Sequence, residues 1–218
     1  MKFLLAQSMD EGAAGLSTGL IYAPGCYADT RELVALAGVA GRKGGYYASH
    51  IRNEADRIIP ALEDILRIGR EAQIPVHVSH LKIAGKKNWP LWETVVEKLM
   101  SARSEGIDIT CDVYPYFHSS TTILALLPPW SLEGGMTSLM PRLKNPRQRE
   151  RIIDGIKDGI AGWENMVQHT GLDKIVISAI QSTQRKGLEG KSIAQISVEA
   201  QEDPLQVLLN LVETENGA

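Results

Sequence analysis

From Gly12 to Pro128 the apolar positions follow two spacings in turn. Short runs with strand-like character, Ala14–Ser17, Tyr46–His50, Pro75–His80 and Ile107–Asp112, are separated by longer stretches whose apolar residues recur every three or four positions. Three helices are predicted between them. The first opens at Thr30 as N-cap, carries Leu33, Leu36 and Ala37, and stops at Gly41. The second aligns Ile58, Leu62, Ile65, Leu66 and Ile68 on one stripe. The third has Pro90 in its first turn, carries Leu91, Val95, Leu99 and Ala102, and ends at Gly106. Strands about 30 residues apart with a helix between each pair imply a parallel sheet, either doubly wound or part of a (β/α)8 barrel. No GxGxxG or P-loop follows any strand, which favours the barrel.

The rhythm stops at Pro128. Beyond it come a Gly- and Pro-rich stretch, a charged helix around Arg147–Lys157, a strand candidate at Lys174–Ile180 and an amphipathic helix at Pro204–Thr214. A barrel needs eight strand–helix units and about four are countable. The expected organisation is residues 1–127 as the central part of an α/β barrel, 128–205 as a helical insertion and 206–218 as a truncated closing segment. Met1–Asp10 reads as the tail of a helix. A partial sheet of this kind leaves two open edges, so self-association is expected.

The chain has 218 residues, room for one domain with a real core. Lys and Arg total 23 against 26 Asp and Glu, and the single basic stretch, Arg142 to Arg151, is diluted by Pro146 and Glu150, which argues against a nucleic-acid partner. Two cysteines, Cys26 and Cys111, make neither a disulfide framework nor a Cys-based zinc module. With no apolar run long enough for a membrane span or a signal peptide, a cytoplasmic protein is expected.

Five histidines are present, and two share a setting: His50 and His80 each follow a serine at the end of an apolar strand, one βα unit apart. In a parallel barrel that is the rim where active sites form. Strand alternation groups His80 with Val78 and Val76 and puts His77 on the other face. If the valines line the interior, His80 faces inward with His50, and His77 faces the helices. Two inward imidazoles make a natural pair of ligands for a metal such as zinc, which usually takes three protein ligands. Asp112 ends the fourth strand at the same rim and could be acid, base or structural acceptor. Tyr22, Lys82, Tyr114 and Ser120 lie just past strand ends. The competing signal is Gly15-Leu16-Ser17-Thr18-Gly19, a GxSxG match that would make Ser17 the nucleophile of an esterase only if a helix began directly after it; none can start before about Thr30.

Four ordered segments, Gly-Leu-Ser-Thr-Gly-Leu-Ile-Tyr at 15–22, Ser-His-Ile-Arg-Asn-Glu at 49–54, Ser-His-Leu-Lys at 79–82 and Asp-Val-Tyr-Pro-Tyr at 112–116, resemble the N-acyl-D-amino-acid deacylase (D-aminoacylase) family of the amidohydrolase superfamily. Glu189 to Ile193 and Asp203-Pro204 also resemble it. The resemblance implies a metal-dependent (β/α)8 barrel of which this chain supplies about strands 4 to 7. It implies zinc held by His50 and His80, and a pocket for a small N-acyl amino acid lined by Tyr22, Lys82, Tyr114 and Ser120, with Lys82, Tyr114 and Ser120 holding the free carboxylate. The family's His-x-His motif, cysteine ligand and catalytic aspartate have no counterpart here and are expected before residue 1 and beyond Ala218. The implied activity is amide hydrolysis, with an inactive half-barrel fragment as the alternative.

Overall fold

Each predicted strand–helix pair closes as the periodicity requires. The computed structural model describes residues 1–217 and divides into two units, one spanning Met1–Pro115 and one from Tyr116 onward. The division falls after Pro115, ahead of the compositional shift at Pro128.

In the first unit the order is α1 (Lys2–Asp10), β1 (Gly15–Gly19), α2 (Thr30–Gly41), β2 (Tyr46–His50), α3 (Ile58–Ala72), β3 (Val76–Val78), α4 (Trp92–Ser104) and β4 (Ile109–Cys111). The four strands form one parallel sheet in sequence order. The cap of α2 is Asp29, whose Oδ1 accepts the Glu32 N–H at 2.8 Å. Thr30 is the first helical residue instead, and its hydroxyl donates to Asp64 at 2.9 Å. Pro90 likewise sits one element earlier than expected, in a 3₁₀ turn (Lys86–Leu91) that runs straight into α4. Gly69 on α3 lets the helix approach the sheet, since a Cβ there would stand 3.1 to 3.2 Å from methyls of Ile107 and Val76.

Register settles which sheet face is which. Tyr47 pairs with Val76 and Val76 with Ile109, and side chains in register on parallel strands share a face. Tyr47, Val76, Val78 and Ile109 are buried in one core with Leu33, Ala37, Leu62, Ile65, Leu66 and Val95 from the helices. His77 pairs with Ala48 and Thr110 on the opposite face, where Tyr46 is half exposed. The expectation that Val76 and Val78 line the interior and His77 faces the helices is therefore reversed. Alternation along one strand says which residues go together, and only the packing of the helices says where they go. Thr18, Tyr47 and Ser49 carry their hydroxyls into the covered face and satisfy one another, at 2.6 Å (Thr18 to Tyr47) and 2.9 Å (Thr18 to Ser49).

The second unit is helical: α5 (Met136–Lys144), α6 (Pro146–Asp158), α7 (Met166–Thr170), α8 (Ile193–Ala200) and α9 (Pro204–Thr214). Leu139, Leu143, Ile152, Ile156, Ile193, Leu208 and Val212 form its core. The strand expected at Lys174–Ile180 is absent as an element. Its β-branched run meets only the turn before α8, through one antiparallel bridge between Val176 and Ser192, so no ladder extends.

Leu62 is fully buried beneath the sheet. Leu62→Ala is expected to lower unfolding stability by about 2–5 kcal/mol, while Tyr46→Ala on the uncovered face changes it by less than about 0.5 kcal/mol. Urea titration of both variants followed by circular dichroism checks the contrast; equal losses would mean that the faces are misassigned.

Candidate metal centre

The site grows from the C-terminal ends of β2 and β3. His50 is the last residue of β2, on the uncovered face with Ala48 and Tyr46. His80 lies two residues past β3, and continued extension would send it to the covered face with Val78. It escapes because its backbone turns into the left-handed region, at φ +42°. The imidazoles then meet, with His50 Nδ1 and His80 Nε2 within hydrogen-bond distance at 3.1 Å and ring centroids 4.6 Å apart.

The sequence reading missed a third member. Glu54 stands four residues after His50 in the loop before α3, and only 2% of it is exposed. Its loop is folded by Asn53, whose Oδ1 accepts the N–H groups of Ala55 (2.8 Å) and Arg57 (3.0 Å), and is tied to the loop after β3 by the Ala84 N–H donating to the Glu54 carbonyl at 2.7 Å. Glu54 Oε1 reaches His80 Nδ1 at 3.1 Å, and Lys82 Nζ donates to Oε2 and Oε1 at 2.6 and 2.7 Å. The signal was in the segment Ser-His-Ile-Arg-Asn-Glu all along, as a carboxylate one short loop beyond a rim histidine.

Charge states follow from burial. Desolvation pushes the Glu54 carboxyl up to about 7 against the pull of the Lys82 ammonium. Desolvation, reinforced by His80 and Lys82, drives His50 down to about 3, so its imidazole is neutral, the form that binds metals. His80 is lowered by the same burial and by Lys82.

Ligand atoms of His50, Glu54 and His80 all lie within 4.8 Å of one another, the one such group among the described residues. His50 Nε2 is buried without a hydrogen-bond partner. An orphaned imidazole nitrogen beside a second imidazole and a carboxylate fits a zinc ion, whose ordinary donors are His nitrogen and Asp or Glu oxygen. Lys82 competes for the same acceptors, because its Nζ also reaches His80 Nδ1 at 2.9 Å. Glu54 can therefore ligate only by giving up part of its pairing with Lys82.

Of the other expected residues, the Tyr22 ring stands 5.4 Å from that of His50, and Lys82 lies 5.6 Å over the Tyr114 ring. Ser120 belongs to the second unit. Asp112 is engaged structurally: its Oδ1 accepts the His80 backbone N–H at 2.9 Å and His77 Nε2–H at 2.8 Å, bonds that hold its carboxyl below the usual carboxylate range. Ser17 lies within β1, followed by a loop with one 3₁₀ turn (Gly25–Tyr27), and α2 begins only at Thr30. That is no nucleophile elbow.

The chain is similar to known proteins in sequence and in fold. The N-acyl-D-glutamate deacylase of Alcaligenes xylosoxydans xylosoxydans is 39% identical over 124 residues, 57% of this chain and 25% of that protein. The D-aminoacylase of the same organism is 37% identical over 123 residues, 56% of this chain and 25% of that protein. Its relatives are the D-aminoacylases. The chain thus spans about a quarter of the length of the curated relatives it matches. No family model matches it. Among solved structures, the N-acyl-D-glutamate deacylase from Bordetella bronchiseptica, complexed with zinc and a phosphonate inhibitor, superposes with a TM-score of 0.71 at 28% identity, covering 97% of this chain and 36% of that one. A D-aminoacylase described as defining a novel subset of amidohydrolases gives 0.68 at 25% identity, covering 96% and 35%. The four parallel strands with their helices accordingly match a portion of the fold of these deacylases.

Because Ser17 lacks an elbow, a fluorophosphonate probe should leave it unlabelled. Intact-mass and peptide mass spectrometry after incubation reads the result; stoichiometric adduct on Ser17 would restore the esterase reading.

Proposed function

We propose that this chain carries the metal-holding and carboxylate-binding part of a zinc-dependent N-acyl-D-amino-acid deacylase, and that it is inactive on its own. The observation that carries the reading is the His50, Glu54 and His80 cluster with its orphaned buried nitrogen. His50 and His80 would hold zinc, with Glu54 as third ligand. When bound, zinc supplies Lewis acidity, polarising an acyl carbonyl and acidifying water.

The remaining work falls to residues of the chain. Lys82 is the cation for the substrate's free carboxylate, a charge-assisted partner that must first exchange one of its bonds to Glu54 or His80. Tyr114 lies under that ammonium and restricts where the carboxylate can sit. Tyr22, whose ring stands beside that of His50, would donate its hydroxyl toward a developing oxyanion. Asp112 is committed to His77 and His80 and is not available to carry the proton to the leaving amine. Because Cys26 and Cys111 are not joined in a disulfide, as suits a reducing compartment, we place the chain in the cytoplasm. β1 and β4 are open edges through which it self-associates.

Equilibrium dialysis against zinc tests the centre. His50→Ala and His80→Ala should each weaken binding at least about tenfold, as loss of one of few ligands requires; wild-type affinity in both would overturn the reading. Zinc-loaded chain should release no acetate from N-acetyl-D-glutamate or other N-acetyl-D-amino acids, and chelator-sensitive release would show the chain to be complete. In a longer enzyme carrying this segment, Lys82→Ala should lower kcat/KM about ten- to a hundredfold with metal content unchanged, the worth of one charged hydrogen bond. An unchanged kcat/KM removes Lys82 from the pocket.

A further inference from the structure

The backbone turn at His80 needs a holder. At φ +42° it occupies a region that residues other than glycine keep only when their surroundings fix them there. Were the chain to stay extended, alternation would carry His80 to the covered face with Val78, away from His50 and Glu54.

Asp112 meets that turn from the neighbouring strand end. Its Oδ1 accepts the His80 N–H at 2.9 Å, its carbonyl accepts the Leu81 N–H at 2.8 Å, and its own N–H donates to the Val78 carbonyl at 3.3 Å. The carboxylate is itself steadied from the side. His77 donates Nε2–H to the same Oδ1 at 2.8 Å, and its Nδ1 is hydrogen-bonded to the Thr110 hydroxyl at 2.8 Å. Thr110 and His77 are partners in register on β4 and β3, so the support is built into the sheet. Asp112 is more than half exposed and, among the described residues, its one ion pair is with His77, so neither core packing nor a wider charge network explains its placement.

Resting on the metal-centre reading, we propose that Asp112, braced by His77 and Thr110, is a positioning residue that fixes the left-handed turn at His80 and so presents its imidazole to His50 and Glu54. It touches neither the metal nor the substrate. Its contribution is to remove the backbone freedom that would otherwise let His80 leave the cluster.

Two measurements on the full chain test this. In the metal-free chain, amide hydrogen exchange by NMR should show the His80 N–H exchanging about tenfold faster in Asp112→Ala, while the Tyr47 and Val76 amides keep wild-type rates. In dialysis well below the unfolding temperature, the same variant should bind zinc about tenfold more weakly. Asp112→Asn keeps an acceptor oxygen in place and should restore most of both. His77→Ala removes only the brace and should give the same signature more weakly, which covers the case in which Asp112→Ala does not fold. A purely structural role would lower thermal stability and leave the zinc affinity of the folded chain alone. Unchanged His80 exchange, or unchanged zinc affinity in Asp112→Ala while His50→Ala loses it, overturns the proposal and spares the metal centre. Unchanged affinity in His50→Ala overturns the metal centre instead, and the exchange data then still decide whether Asp112 holds the turn.

Discussion

Tyr47, Val76, Val78 and Ile109 are drawn beneath α2, α3 and α4 by burial of apolar surface, about 1.5–3 kcal/mol for each large side chain. Because strand side chains alternate, that commitment sends Tyr46, Ala48, His50 and His77 to the other face together. The polar chemistry of the chain collects where the helices are absent, at the C-terminal strand ends. The helices thus choose the site by covering everything that is not part of it. Gly69 serves the same end, admitting α3 close enough to make the covered face tight.

Within that frame the cluster is electrostatically tense. Glu54 is almost wholly buried, and the Lys82 ammonium offsets part of the cost of keeping a charge there. His50 is neutral, with one nitrogen unsatisfied. Such arrangements are expensive in a structural role, because an unpaired buried polar atom costs about 1–3 kcal/mol. They are common where a ligand completes them. A dication would relieve both the orphaned nitrogen and the excess negative field at Glu54, at the expense of Lys82, whose ammonium would then be free to meet an incoming carboxylate. Under the proposed function, metal binding and substrate binding would be coupled through this lysine.

The match to the D-aminoacylases agrees with this arrangement. The chain aligns with about a quarter of each curated relative, and 97% of it superposes on the Bordetella bronchiseptica enzyme. The four parallel strands carry their helices on one face. The uncovered face, bearing half-exposed Tyr46 and the site, is the face that a closed barrel would turn inward.

Strands, helices and the pairing of His50 with His80 were legible in the chain itself, because period-two and period-3.6 patterns are local and the two Ser-His strand ends repeat. So were the four segments that resemble the D-aminoacylases. The outward or inward sense of each strand was not. That choice is made by helices that pack from elsewhere in the chain, and it placed His77 opposite to expectation. Nor could alternation bring His80 to His50, because a left-handed residue resets the count and its cause, the Asp112 carboxylate, comes from a strand 32 residues later. The run at Lys174–Ile180 shows the same limit from the other side, since β propensity needs a partner strand to become a ladder and here meets the short stretch around Ser192 through an isolated bridge. The sequence by itself determined which residues could alternate, cap and ligate. Tertiary structure decided which face they share and whether they meet, because both depend on hydrogen bonds and burial between segments that no local pattern contains.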